Sequence, residues 1–207
     1  MGLALSTKDC QIGKTVVDLQ AVFLEIYDTV AQTLTWTFYL LMKHRHATAR
    51  IRQAIEGVLL DEGKNKTSTL RPEYFAPIDL PYIPSIFYKA HRLYSPNAIR
   101  DEASSARHHL SGQHSSSVRV WCTWAMNCSK LTWENSADEF YPERWLTDDD
   151  KAVIHKTSSE FPVFDGGSHL CLGKKMAEHI AVQVITTLVE IFDFTLAYAG
   201  ERASKDI

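Results

Sequence analysis

The sequence predicts a mainly helical fold with small β-sheets, of the α+β kind, and three stretches carry that prediction. Apolar side chains at Leu19, Val22, Phe23, Ile26, Val30, Leu34, Phe38 and Leu41 recur at three- and four-residue steps, predicting one long helix over about Val16 to Met42. Toward the other end, Met176, Ala177, Ile180, Ala181, Val184, Ile185, Leu188, Val189 and Phe192 form a continuous apolar stripe and predict a final helix. Between them Val118-Arg-Val-Trp121 alternates as a strand does.

The remaining elements follow in order. A second amphipathic helix is predicted near Ala47 to Leu60, ending toward Gly63, with a polar loop from Lys64 to Pro72. Proline-rich text from Pro72 to Pro84 leads into a shorter helix over about Ser85 to Leu93, which Pro96 stops. Asp101 to Ser117, rich in Ser and His, reads as irregular, and Ser129 to Lys156 reads as mostly loop. Phe194 to Tyr198 reads as a closing strand. Residues 1–15 form an N-terminal extension, and 16–207 are one body without internal repeats.

Composition narrows the class. With 207 residues, 45% of them hydrophobic and 23% charged, the chain buries a substantial core. The formal charge of −3, with no stripe of basic residues, offers no case for nucleic-acid binding. Four cysteines (Cys10, Cys122, Cys128 and Cys171) are too few for a disulfide scaffold, so a reduced, soluble intracellular setting is expected. The spacing of Cys122 and Cys128 fits no common zinc site and is read as core packing. Met1 to Lys14 carries no secretory signal, although Met1-Gly2-Leu-Ala-Leu-Ser6 matches the loose N-myristoylation pattern. The longest apolar stretch, Val30 to Met42, is interrupted by Gln32 and threonines and falls short of the ~18 residues a membrane span needs. Asn65-Lys-Thr67 and Asn127-Cys-Ser129 are chance-level sequons.

The run from Phe164 to Gly173 (Phe-Asp-Gly-Gly-Ser-His-Leu-Cys-Leu-Gly) carries the chemistry. Gly167 and Gly173 permit backbone conformations and a close approach that a Cβ would block. Cys171 stands just before the positive end of the final helix, which favours an anionic sulfur. Phe164 can lie against a flat ligand beside that sulfur. These features describe a holder for a soft metal, with thiolate ligation of a haem iron the leading use. A buried cysteine in a glycine turn is the bland alternative. Zinc is disfavoured because no second Cys or His stands at ligand spacing beside Cys171.

At Phe164, Gly167, His169, Cys171 and Gly173 the chain resembles the cytochrome P450 family, whose haem loop reads F-x-x-G-x-[R/H]-x-C-x-G. The flanking Phe161-Pro-Val-Phe164 and Cys171-Leu-Gly-Lys-Lys-Met-Ala177 are similar in wording to fatty-acid and alkane ω-hydroxylases of that family. Asp28-Thr29 resembles the acid–threonine pair that handles protons during O–O cleavage. Lys89-Ala-His-Arg92 stands where the family has Glu-x-x-Arg, and Tyr141-Pro-Glu-Arg144-Trp145 resembles the loop whose arginine completes that network. The resemblance runs from about Val16 to Tyr198 and covers the C-terminal half of such a protein.

Four departures accompany it. Lys89 in place of glutamate is expected to leave Lys89, Arg92 and Arg144 together with no carboxylate between them. Removing one partner of a buried ion pair costs on the order of 3–5 kcal/mol, and a like charge there costs no less. Glu25 and Ile26 stand where the family has Ala-Gly, crowding and repolarising the distal side. Asp165 is unusual in the loop, and His169 replaces the more common arginine, pairing more weakly with a haem propionate at neutral pH. The resemblance leads to the expectation that the N-terminal half of the family's domain, with its anchor and much of its pocket, is missing from this chain.

The resemblance implies a partial P450 fold containing the long central helix, the haem-thiolate loop and the final helix. It implies haem-thiolate monooxygenation of a small hydrophobic, lipid-like or fatty-acid-like substrate, with haem b held by the Cys171 thiolate. Asp28 and Thr29 would be catalytic; Phe164, Gly167, His169, Gly173, Arg92 and Arg144 would shape or hold the cofactor. Electrons would come from a P450 reductase using NADPH, at the cytosolic face of the endoplasmic reticulum membrane. The alternative is a truncated or degenerate P450-derived protein without catalytic activity, at most haem-binding.

Overall fold

The computed structural model describes residues 7–61, 76–103, 118–167 and 170–197. It is mostly helical, with a single two-stranded sheet among the described residues. Helix α1 spans Thr7–Lys43 and turns sharply into α2, Arg45–Asp61. Helix α3 spans Tyr82–Leu93, and α4 and α5 are the short helices Thr123–Asn127 and Lys130–Trp133. Helix α6 spans Lys174–Ile191. Strands β1, Arg100–Ala103, and β2, Val118–Trp121, pair antiparallel with Arg100 opposite Trp121.

Helix α3 is the centre of the molecule. It is buried from Tyr82 through Arg92 and touches α1, α4, α6 and the 3-10 turn Pro142–Trp145. Ile83, Ile86 and Phe87 are fully buried and share the core with Ile51 and Ile55 of α2 and Val182 and Ile185 of α6. Its most conspicuous buried residues are charged: Lys89 and Arg92 are both 0% exposed.

The long helix behaves differently along its length. Its stripe is buried at Val30 and Leu41, as is the neighbouring Leu40, whereas Leu19 and Phe23 of the stripe, and Leu24 and Tyr27 beside it, are exposed. Thr29, Thr33 and Thr37 lie one turn apart, and each hydroxyl donates to the carbonyl four residues back. Thr33 and Thr37 therefore sit fully buried without an unpaired donor. The helix begins at Thr7, nine residues before the apolar periodicity starts, because Thr7 to Lys14 are mostly polar or small, with Ile12 the one large apolar side chain, and carry no stripe to read.

Several sequence expectations are corrected. Arg100–Ala103 is strand rather than irregular, since it finds β2 as a partner that no local pattern announces. The remainder of the Ser/His-rich stretch and the 64–72 loop lie outside the described residues. The 129–156 loop contains α5, the 3-10 turn and an isolated bridge between Leu146 and Val153. Ser129 caps α5 by accepting from the Leu131 N–H, and Pro142 opens the turn where its missing N–H costs nothing. Phe194 to Ala197 is not strand, and Tyr198 lies outside the described residues. Phe194 packs against Phe38 at 5.0 Å, and Arg52 gathers the Val189 and Phe192 carbonyls with Asp193 at the α6 C-terminus. Cys122 and Cys128 flank α4, exposed and half-buried, and are not core. Asn127 is fully buried, so its sequon cannot carry a glycan.

The core packing has a direct test. Ile55 is 1% exposed within it. Ile55→Ala is expected to lower the free energy of unfolding by about 2–5 kcal/mol with an unchanged m-value, read by urea denaturation followed through tryptophan fluorescence.

Candidate functional site

Among the described residues of the Phe164–Gly173 run, Phe164, Cys171 and Gly173 line a cavity. The 3-10 turn Pro162–Phe164 points Phe164 inward, against His91 at 4.9 Å and Tyr88 at 6.0 Å. The Cys171 N–H then donates to the Phe164 carbonyl at 2.9 Å, closing the loop on itself. Asp165 has φ 58° and ψ −164°, a region otherwise nearly reserved for glycine, so the loop stores backbone strain of order 1–3 kcal/mol there. The cavity has a volume of ≈ 350 Å³ and lies between this loop, α1 and α3. Glu25, Ile26, Thr29, Val30 and Thr33 line one side; Phe164, Cys171, Gly173 and Ala177 line another, and Phe87 and His91 a third.

The glycines divide by physical need. Gly167 holds φ +60° in open space. Gly166, which sequence reasoning passed over, packs so tightly that a Cβ would stand 2.4 Å from Ser158 Oγ and 2.6 Å from Ser158 Cβ. At Gly173 a Cβ would meet Ile26 Cγ1 at 3.8 Å and Cys171 Sγ at 3.9 Å, ordinary contacts, with φ −81°. Gly173 therefore keeps space beside the sulfur rather than enabling a special turn.

The predicted site residues are brought together only in part. Thr29, Phe164, Cys171 and Gly173 line the cavity. Asp28 is exposed and does not; its place in the helix is a quarter-turn from Thr29, whereas Glu25 stands one full turn before Thr29 on the same face. The Thr29 hydroxyl donates to the Glu25 carbonyl at 2.6 Å. Gly167 is outside the lining, and His169 lies outside the described residues.

Arg92 and Arg144 do not line the cavity. Arg92 donates to the carbonyls of Asn127 and Ala137, and Arg144 to the Trp133 carbonyl at 3.2 Å and to the Ser136 hydroxyl. Both guanidinium groups lie over the Trp133 ring, at 4.8 and 5.7 Å. Lys89 stands with them, and its Nζ has no hydrogen-bond partner. Burial, then Arg92 and Arg144, push the Lys89 amine down to about 7. Burial also lowers Arg92, to about 10, where it stays cationic at neutral pH.

His91 is the cavity residue that the sequence did not single out. It is 6% exposed, packs its ring between Phe87 and Phe164, and its Nδ1 has no partner. Burial drives its pKa down to about 3, so the ring is neutral. Its position inside the Lys89-Ala-His-Arg92 motif was the available signal, since residues beside a buried charge on α3 share that helix's burial.

The site and fold together define a class. A cytochrome P450 family profile matches residues 8–206, and the chain belongs to the cytochrome P450 family. It is similar to an alkane hydroxylase (MAH1) of Arabidopsis thaliana, 28% identical over 170 residues, covering 81% of this chain and 31% of that protein. It is also similar to cytochrome P450 94C1 of Arabidopsis thaliana, 32% identical over 76% of this chain and 32% of the relative. Cytochrome P450 CYP94D108 of Paris polyphylla is 28% identical over 86% of this chain and 36% of its own length. The chain thus spans about a third of the length of these curated relatives. Among the described residues no helix is long and apolar enough to cross a membrane.

Two measurements check this geometry. Gly166→Ala is expected to destabilise most, by about 1–3 kcal/mol through its clash with Ser158, and Gly167→Ala by about 1–2 kcal/mol through its left-handed backbone. Gly173→Ala should be nearly silent in thermal melts. His91 takes up its proton near pH 6.5 when unfolded but only near 3 when folded, so stability is lost as pH falls between those values. His91→Leu is expected to flatten that part of the stability–pH curve relative to the parent chain.

Proposed function

We propose that the cavity is a haem-thiolate site in which Cys171 is the iron ligand, serving monooxygenation of a small hydrophobic, lipid-like substrate. The observation that carries the reading is Cys171 itself, an exposed thiol lining an apolar cavity beside Phe164 and opposite the threonine face of α1. The donor set suits the group: one soft sulfur, an aromatic wall and no competing metal-ligand cluster among the described residues. Haem held by a thiolate supplies the chemistry that splits dioxygen, placing one atom in a C–H bond and the other in water.

This chain's residues would perform the surrounding work. Phe164 and Phe87 exclude water and present apolar surface to a flat ligand. Thr29 offers a hydroxyl on the far wall; to move a proton toward the cavity it must exchange its bond to the Glu25 carbonyl. Glu25, on the cavity side, is the carboxylate placed to reprotonate it, and Asp28 would act only through intervening water. Ile26 comes within van der Waals reach of the Gly173 position, so a planar group entering between loop and α1 displaces it. The name of one relative, an alkane hydroxylase, supports an apolar substrate. A reductase would supply the electrons, as the family requires of its members.

A second reading, haem binding without turnover, is favoured by Lys89. A buried, unpaired amine between two guanidinium groups weakens the scaffold behind the cysteine loop. The chain expressed with haem, reduced under carbon monoxide, is expected to show the thiolate-type Soret band, lost completely in Cys171→Ala and strengthened in Ile26→Ala. No haem uptake, or a histidine-type band, overturns the proposal. The thiolate band without NADPH consumption in the presence of a reductase and a fatty acid selects the second reading.

A further inference from the structure

We propose that Lys89 is a carbamylation site: its Nζ takes up carbon dioxide, and the carbamate formed is the anion that Arg92 and Arg144 face in the core. The proposal needs nothing of haem. Lys89 and Arg92 stand three residues apart on the same face of α3 and are both fully buried. Arg144 joins them from the 3-10 turn, sharing the Trp133 ring with Arg92. Lys89 Nζ, Arg92 Nε and Arg144 Nε all lack partners. Three basic groups keep unused donors, and the acceptors that Arg92 and Arg144 do find are neutral, so the cluster is short of one anion.

The other ionisable groups that face the cluster do not supply it. Asp138 and Glu139 act on it electrostatically but are exposed, and no ion pair joins either to Lys89, Arg92 or Arg144 among the described residues. The Cys128 thiol is half-buried, and burial, the first of its causes, raises its pKa, so it remains protonated and neutral. A free carboxylate or bicarbonate would have to shed its hydration to enter a fully buried position. Carbon dioxide is small, uncharged and apolar, so it enters without that penalty.

The chemistry balances without any further reagent. The lone pair of the neutral Nζ attacks the carbon of carbon dioxide, an N–C bond forms, and one C=O electron pair moves onto oxygen. One Nζ proton leaves to buffer, and nothing is oxidised or reduced. The step requires an uncharged amine, and burial beside two guanidinium groups keeps a substantial fraction of Lys89 in that form at neutral pH. The product sets a negative charge among these groups and gives both arginines a charged acceptor beside their neutral ones.

The full 207-residue chain, labelled with ¹⁵N at the lysine side chains and equilibrated with ¹³C-bicarbonate, tests this. A ¹³C resonance split by one ¹⁵N, present in the parent chain and absent from Lys89→Met, is the expected result. Bicarbonate, compared with chloride at equal pH and ionic strength, should raise the melting temperature of the parent and not of Lys89→Met. Trapping with a trialkyloxonium reagent followed by digestion should place the ester on the peptide containing Lys89, which decides the matter in the parent chain even where the variant fails to fold. Absence of the coupled resonance in the folded parent overturns the proposal, as does trapping only at other amines. Stabilisation by bicarbonate without an N–C coupling also overturns it, showing a free anion instead.

Discussion

The bonds from Arg92 and Arg144 to backbone carbonyls are the interaction on which the rest of this structure depends. The segment from Cys122 to Trp145 is made of helices too short to satisfy their own ends, and short helices expose a large share of unpaired carbonyls. Arg92 reaches out of α3 to the carbonyls of Asn127 and Ala137, and Arg144 takes that of Trp133. Arg92 thereby fastens an otherwise irregular segment onto the central helix, and Arg144 ties that segment to itself. Hydrogen bonds from a charged donor are the stronger kind, roughly twice a neutral one, which suits them to that task.

The same solution creates the molecule's main electrostatic tension. Carbonyls satisfy donors but bring no formal charge, so the arginines keep their charges inside the core. Lys89, one turn before Arg92, adds a third basic group, an amine with no acceptor. Trp133 offsets part of this through its ring face. Behind the cysteine loop, then, stands a scaffold that is fully packed in its apolar contacts and under-compensated in charge.

On the opposite side of α3 the demands are different. Phe87 and His91 turn toward the cavity and Phe164 seals against them, so α3 forms both the floor of the site and the anchor of the scaffold. The threonine ladder of α1 lets polar side chains face this apolar space with their hydrogens already placed. The site is thus assembled from three elements far apart in sequence, each presenting one face, and the loop that carries Cys171 is held to them chiefly through Phe164.

Local patterns were legible where one element alone sets the outcome. The periodicities of α1, α2 and α6, the alternation of Val118–Trp121 and the spacing of Phe164, Cys171 and Gly173 all belong to the sequence, because side-chain period and loop chemistry act over a few residues. The sequence by itself determined the family, the cysteine and the charge imbalance at Lys89. Only the tertiary structure decided which residues meet: that Glu25 rather than Asp28 faces the cavity, that Gly166 is the glycine under steric pressure, and that His91 is buried at the site. It also decided that β1 forms while Phe194 to Ala197 stays out of a sheet. A strand needs a partner, a cavity needs walls and a buried charge needs surroundings, and each of these is supplied by chain segments that no local window contains.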